Sequence, residues 1–179
     1  MTAITISGNP GSGKTTVAKL LEEKLNIKYI YSGMIFRELA EEYGMSLEEF
    51  GKYCEEHDNI DFELDNRQVK IMKKGDVILE GRLAGWLANK NNISAFKISI
   101  VADIDVRTQR VVNREKGSIS KRKEEILERE RSENTRYKKY YGANLKDNSI
   151  YDLVIDSTNK KPEEIVDIII KEMKKKQFL

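Results

Sequence analysis

Short β-branched runs alternate along the chain with stretches whose apolar positions recur at helical spacing, the pattern of βαβ units built around a parallel sheet. Five runs read as strands: Thr2 to Ser7, Lys28 to Ser32, Asp76 to Glu80, Phe96 to Val101 and Leu153 to Asp156. Each is close to the ordinary strand length of about 5 residues. Val17, Leu20, Leu21 and Leu25 mark an amphipathic helix after the first strand, and Ile165, Val166, Ile169 and Ile170 mark another near the C-terminus. Pro162 suits that last helix's first turn, where a missing N–H costs nothing. Ser46 and Glu49 have the spacing of a capping box, and the segment from Ser46 to Lys74 predicts two helices inserted before the third strand.

Length and composition narrow this picture. The 179 residues make one domain rather than two. Charged residues are 35% of the chain, against a usual share of about 25%, yet 32 basic and 30 acidic residues leave a net charge of only +2. That balance excludes a disordered charged tail and the large single-sign field of a dedicated nucleic-acid binder. Interspersed Lys and Glu at this density is a composition that heat-adapted proteins share. The single cysteine, Cys54, has no intramolecular partner, and the single histidine, His57, rules out a Cys/His zinc cluster. His57 is expected to be structural or solvated. The N-terminus lacks a signal-peptide pattern, and apolar runs such as Ile165 to Ile170 are broken by Asp167, far short of the roughly 18 residues that cross a bilayer. A soluble, cytoplasmic monomer is the expectation.

The strongest chemical signal is Gly8-Asn9-Pro10-Gly11-Ser12-Gly13-Lys14-Thr15, which satisfies every fixed position of the phosphate-binding loop G-x-x-x-x-G-K-[ST]. It lies between a predicted strand and a predicted helix, so its amides would wrap phosphate oxygens at a helix N-terminus. Gly8 to Thr16 is therefore the expected ATP site. The glycines let backbone approach the anion, Lys14 reaches the outer phosphates, and the Thr15 hydroxyl is a hard-oxygen ligand suited to magnesium.

Two classes of phosphate-loop protein fit poorly. A regulatory GTPase needs an N-K-x-D segment, and neither Asn89-Lys90-Asn91-Asn92 nor Asn159-Lys160-Lys161-Pro162 supplies the aspartate. A motor ATPase needs adjacent acids at a strand end, whereas the third strand closes on Glu80 alone, followed by Gly81-Arg82. Seven of the ten arginines fall between Asp105 and Asp147: Arg107, Arg110, Arg114, Arg122, Arg129, Arg131 and Arg136. They read either as a solvated helical face with i,i+4 ion pairs or as a clamp for phosphates. A small-molecule kinase accommodates the clamp, because phosphoryl transfer depends on positioning and charge neutralisation.

On these motifs the chain resembles the nucleoside monophosphate kinases, and most closely cytidylate kinases of archaeal type. The resemblance covers nearly the whole chain. It rests on the phosphate loop, Tyr31-Ser32-Gly33 with Phe36-Arg37, Glu80-Gly81-Arg82, the Arg107/Arg110/Arg114 run, and Arg129 to Tyr137, in family order. It implies an α/β three-layer sandwich, with a five-stranded parallel sheet between helices, a nucleoside monophosphate-binding insertion over residues 33–74 and a lid over about 105–147. By the same resemblance, Ser32 starts the helix of the acceptor site, Arg37 and Arg82 grip the acceptor phosphate, Arg110 covers the donor's adenine, and Arg114 meets the transferring phosphate. Arg129, Glu133 and Arg136 match an Arg-x-x-x-acid-x-x-Arg pattern for the acceptor nucleotide and the transferred group, with Arg131 beside them. Taken by itself, Ser32 also reads as an ordinary helix N-cap.

One departure concerns the base. Bacterial cytidylate kinases carry Gly-Arg-Asp where this chain has Gly81-Arg82-Leu83, and Asp61 and Asp65 are the candidate replacement carboxylates toward a cytosine amino group. The implied reaction is ATP plus CMP giving ADP plus CDP, with magnesium. dCMP, UMP, AMP or dephospho-CoA are alternative acceptors, and a nucleotide-dependent RNA-binding factor using Lys174-Lys175-Lys176 is the reading from another class.

Overall fold

The computed structural model describes residues 3–145 and 147–179, the side chains of Glu48, Glu55, Glu56, Asp58 and Arg136 lying outside the described ones. Five parallel strands, β1 (Ala3–Gly8), β2 (Lys28–Tyr31), β3 (Val77–Glu80), β4 (Ala95–Val101) and β5 (Leu153–Asp156), form one sheet in the order β2-β3-β1-β4-β5. Helix α1 (Lys14–Leu25) follows β1; α2 (Ser32–Glu42), α3 (Leu47–Glu56) and α4 (Asp58–Lys74) lie between β2 and β3. Helix α5 (Ala84–Lys90) precedes β4, α6 (Ile104–Glu115) and α7 (Ile119–Tyr141) join β4 to β5, and α8 (Pro162–Lys175) closes the chain.

The strand limits move by a residue where local backbone dictates. Asp76 takes a positive φ of 47° behind Gly75, so pairing in β3 starts one residue later than the apolar pattern suggests. Ser32 already opens α2 with Tyr31 as its N-cap and no side-chain cap bond. The N-cap reading of Ser32 is therefore corrected, and its hydroxyl is not spent on the helix. The capping box at Ser46 and Glu49 forms as the spacing predicts, with Ser46 N–H donating to Glu49 at 2.8 Å.

Both faces of the sheet are covered. On one, Val17, Leu21, Ile165, Val166 and Ile169 of α1 and α8 pack on Ile4, Ile6, Ile98 and Ile155. On the other, Leu83, Ala84, Leu87, Met72 and Ile35 cover Ala3, Val77, Leu79 and Ala95. The insertion has its own small core of Leu39, Ala40, Phe50 and Ile60. His57 belongs to this periphery: its ring stacks on Tyr53 with centroids 3.8 Å apart, and Nδ1 lies 2.8 Å from the Tyr53 carbonyl.

With β1 between β3 and β4, successive connections leave to opposite sides, and the crevice opens at the carboxyl ends of β1, β3 and β4. Ile6 pairs with Glu80 and Gly8 with Ile100, so the phosphate-loop sequence and the Glu80-Gly81-Arg82 segment emerge side by side. Among the described residues no helix is long and apolar enough to cross a membrane.

Candidate active site

Chain direction at the end of β1 is set by two glycines. Gly8 has φ of 149°, and a Cβ there would lie 2.2 Å from the Ile100 carbonyl of the neighbouring strand. Gly11, at φ of 78°, would meet the Arg107 carbonyl at 2.6 Å. Neither position admits a side chain, so the loop can lie flat against β4 and α6 only with glycine. Lys14 opens α1 and folds back, its Nζ donating to the Asn9 carbonyl at 3.1 Å. Desolvation at the loop floor pushes the ammonium down to about 8, against a smaller opposing pull from Glu80. A cation held in this state gains its full charge stabilisation when an anion arrives.

Beside it the Thr15 hydroxyl donates to Glu80 Oε1 at 3.1 Å, while the other carboxylate oxygen accepts from the buried Tyr29 hydroxyl. Burial first, then the Glu80 contact, push the Tyr29 phenol up, so it stays a hydrogen-bond donor. A neutral hydroxyl and a carboxylate at the foot of a phosphate loop form a hard-oxygen pair that fits magnesium, which takes few protein ligands and fills the rest with phosphate and water.

The loop's outer side is braced by two arginines of α6. Arg107, 5% exposed, donates to the Pro10 carbonyl at 3.3 Å and the Ala102 carbonyl at 3.0 Å, and pairs with Glu130 of α7. Arg110 donates to Ser157 Oγ at 3.0 Å and to the Ser157 carbonyl at 2.7 Å, and Ser157 in turn donates to the Ser12 carbonyl at 2.8 Å. Arg110 thus stands at the rim of the loop.

A cavity of about 250 Å³ in front of the loop is lined by Gly11, Gly13, Lys14, Thr15 and Thr16, and on its far side by Ser32, Glu80, Gly81, Arg82, Arg114 and Arg129. Arg82 donates to the Gly8 carbonyl at 3.3 Å and pairs with Glu133 of α7, which also accepts from Arg129 Nε at 2.8 Å. Desolvation draws the Arg82 guanidinium down, countered by Glu133 and Glu130. Arg114 turns to Glu115 and is 66% exposed. Each cation of this wall therefore rests on a carboxylate.

Other predicted residues lie apart. Arg37 donates to the Tyr31 hydroxyl and is not part of this lining. Arg131 lines a neighbouring cavity of about 440 Å³ with Asn9, Arg82 and Glu130. The side chain of Arg136 is outside the described residues. Asp65 accepts from Gln68 Nε2 at 2.9 Å, and neither it nor Asp61 reaches the loop cavity. Arg122 ties the turn between α6 and α7, donating to the Lys116 carbonyl at 2.9 Å and pairing with Glu125 at 2.7 Å.

Glu80, Tyr29 and Ser157 belong to the site's framework without standing out as site residues in the sequence. For Glu80 the signal existed: an acid at the carboxyl end of the strand beside the phosphate-loop strand faces the bound phosphates. Tyr29 and Ser157 carry no such mark, because their roles depend on which strands become neighbours.

Solved structures share the fold: an uncharacterized protein from Eubacterium ventriosum (TM-score 0.77, 22% identity, 97% of this chain and 99% of that one) and shikimate kinase from Bacteroides thetaiotaomicron (TM-score 0.63, 16% identity, 97% and 98%). The cytidylate kinase of Methanocaldococcus jannaschii is 47% identical over 167 residues, 93% of this chain and 94% of that protein. That of Pyrococcus horikoshii is 45% identical over 166 residues, 93% and 85%. Residues 3–159 match the model of the cytidylate kinase-like family, and it is to this family that the chain belongs.

Proposed function

We propose that the protein is an ATP-dependent cytidylate kinase, acting in the reducing cytosol, with residues 33–74 holding the acceptor nucleotide and about 105–147 closing as a lid. The observation that carries this reading is the single cavity in which Lys14 and Thr15 of the phosphate loop face Ser32, Arg82, Arg114 and Arg129. One wall suits a nucleoside triphosphate; the other presents three guanidiniums to a second phosphate ester.

In the reaction a phosphate oxygen of CMP attacks the γ-phosphorus of ATP, and the bond to the β–γ bridging oxygen breaks, leaving ADP and CDP. No general base is needed, because the attacking oxygen is already ionised at neutral pH. Loop amides and Lys14 hold the donor phosphates, with Arg110 at the loop rim toward the adenine. Arg82 and, after a side-chain swing, Arg37 hold the acceptor phosphate. Arg114 and Arg129, with Arg131 and Arg136 from the same lid, neutralise charge on the moving phosphoryl group. Thr15 and Glu80 would hold magnesium, which supplies charge neutralisation at the donor phosphates. Lid closure excludes water, which would otherwise be the competing acceptor.

The test is a panel of nucleoside monophosphates with ATP and magnesium, scored by ADP formation. CMP is expected to accelerate ADP release most, and absence of acceleration by every monophosphate overturns the reading.

A further inference from the structure

Behind the acceptor wall lies a polar group that the mechanism above does not use. Gln68, on α4, is 3% exposed. Its Nε2 donates to Asp65 Oδ1 at 2.9 Å, whereas its Oε1 has no hydrogen-bond partner among the described residues. The amide orientation follows from chemistry, since a carboxylate can face only the NH2 end. Asp65 therefore fixes Gln68 as a pure acceptor on its other side. The Tyr141 phenol beside this cluster is pushed up by burial and then by Asp65 and Asp61, so it stays protonated.

That free oxygen faces Gly81. A Cβ on Gly81 would lie 3.1 Å from Gln68 Oε1 and 3.4 Å from Ser32 Oγ, and both Gly81 and Ser32 line the cavity. Gly81 is not among the glycines with positive φ, so its backbone does not require glycine; a methyl there would press on the Gln68 and Ser32 oxygens. A side chain there would stand between the buried oxygen and the cavity. An unpaired buried acceptor and a side-chain-free wall residue in front of it describe a slot for a hydrogen-bond donor on the acceptor nucleotide.

We propose that Gln68 Oε1 accepts a hydrogen bond from the exocyclic amino group of the acceptor's cytosine, with Asp65 as its positioning residue. The inference rests on the cytidylate kinase reading and names the group that distinguishes the base. Cytosine offers an amino donor at C4, where uracil presents a carbonyl oxygen. Against a fixed acceptor, the carbonyl meets lone pairs and leaves the buried oxygen unsatisfied, so uracil is rejected by lost pairing rather than by size. The missing acid after Arg82, at Leu83, is thereby replaced from α4, by an amide that the aspartate orients rather than by the aspartate itself.

The experiment compares wild type, Gln68→Met and Gly81→Ala in kcat/KM for CMP, dCMP and UMP, with binding of a non-hydrolysable ATP analogue and melting temperature as controls for folding. The wild-type preference for CMP over UMP is expected to collapse by about 10- to 100-fold in Gln68→Met. CMP should lose and UMP hold, with the CMP to dCMP ratio and analogue binding unchanged. Gly81→Ala, which keeps Gln68 but narrows the slot, should show the same selective loss, and it decides the matter if Gln68→Met does not fold. Equal losses for CMP and UMP, or a change confined to the CMP to dCMP ratio, would overturn the assignment while leaving the kinase reading intact. Absence of activity on every monophosphate in wild type overturns both.

Discussion

The two walls of the cavity are built in different ways. The phosphate-loop wall is backbone, pinned by glycines that touch β4 and α6, by the buried Arg107 and by the Arg110-Ser157-Ser12 chain of hydrogen bonds. The opposite wall is made of long cationic side chains, each lying on a carboxylate: Arg82 and Arg129 on Glu133, Arg114 on Glu115. A backbone site is organised before ligand arrives, and little rearrangement opposes binding. A wall of paired side chains must exchange its internal partners for phosphate. The difference teaches where each nucleotide's selectivity resides: the donor meets a preformed cradle, and the acceptor must displace existing ion pairs with a well-placed phosphate ester.

The largest expected effect comes from breaking the preformed wall. Lys14→Met should lower turnover by about 100- to 1,000-fold, measured as CMP-dependent ADP formation. It should also raise the apo melting temperature, because desolvation holds this ammonium down to about 8 and an apolar isostere removes a cost of about 1–3 kcal/mol. Loss of activity with a lower melting temperature would mean that Lys14 is structural.

On the exchangeable wall, Arg82→Lys keeps the charge beside Glu133 but loses the forked donor geometry. It should reduce kcat/KM for CMP by about 100-fold and leave KM for ATP within about threefold. Parallel losses for both nucleotides would erase the distinction between the walls.

A pH profile sharpens it further. In the free enzyme Lys14 is charged below about 8 and neutral above, so kcat/KM for ATP should fall roughly tenfold per unit once pH passes that value. With both substrates saturating, bound phosphate restores the charge and kcat should stay level through the same range. The sign for stability is opposite: the unfolded lysine binds its proton up to its ordinary 10.5, so its contribution to apo stability rises from pH 8 to that point.

The smallest effect separates two kinds of lid arginine. Arg122→Ala, at the turn between α6 and α7, should leave kcat and both KM values within about twofold, costing only a surface ion pair. A loss as large as that of Arg82 would make the whole charged segment one clamp.

That distinction also shows how far the sequence reached. Strand and helix positions were legible because apolar periodicity reports burial directly, and the phosphate loop because its fixed glycines have no ready substitute, Gly8 crowded by the Ile100 carbonyl and Gly13 at a φ of 93°. The arginine cluster could be counted but not sorted. Arg107 is a buried strut and Arg122 a turn brace, whereas Arg114 and Arg129 face the cavity. Which face of α6 or α7 turns inward depends on packing against the loop, and spacing alone does not carry that. Gln68 was illegible for the same reason, since its neighbours Gly81 and Ser32 come from other segments of the chain.

The central claim is that one cavity joins a triphosphate donor to a cytidine monophosphate acceptor. Phosphorus NMR of wild-type protein with ATP, magnesium and CMP tests it most directly. The account predicts ADP and CDP resonances growing one for one, with little inorganic phosphate. Inorganic phosphate accumulating without CDP would contradict it.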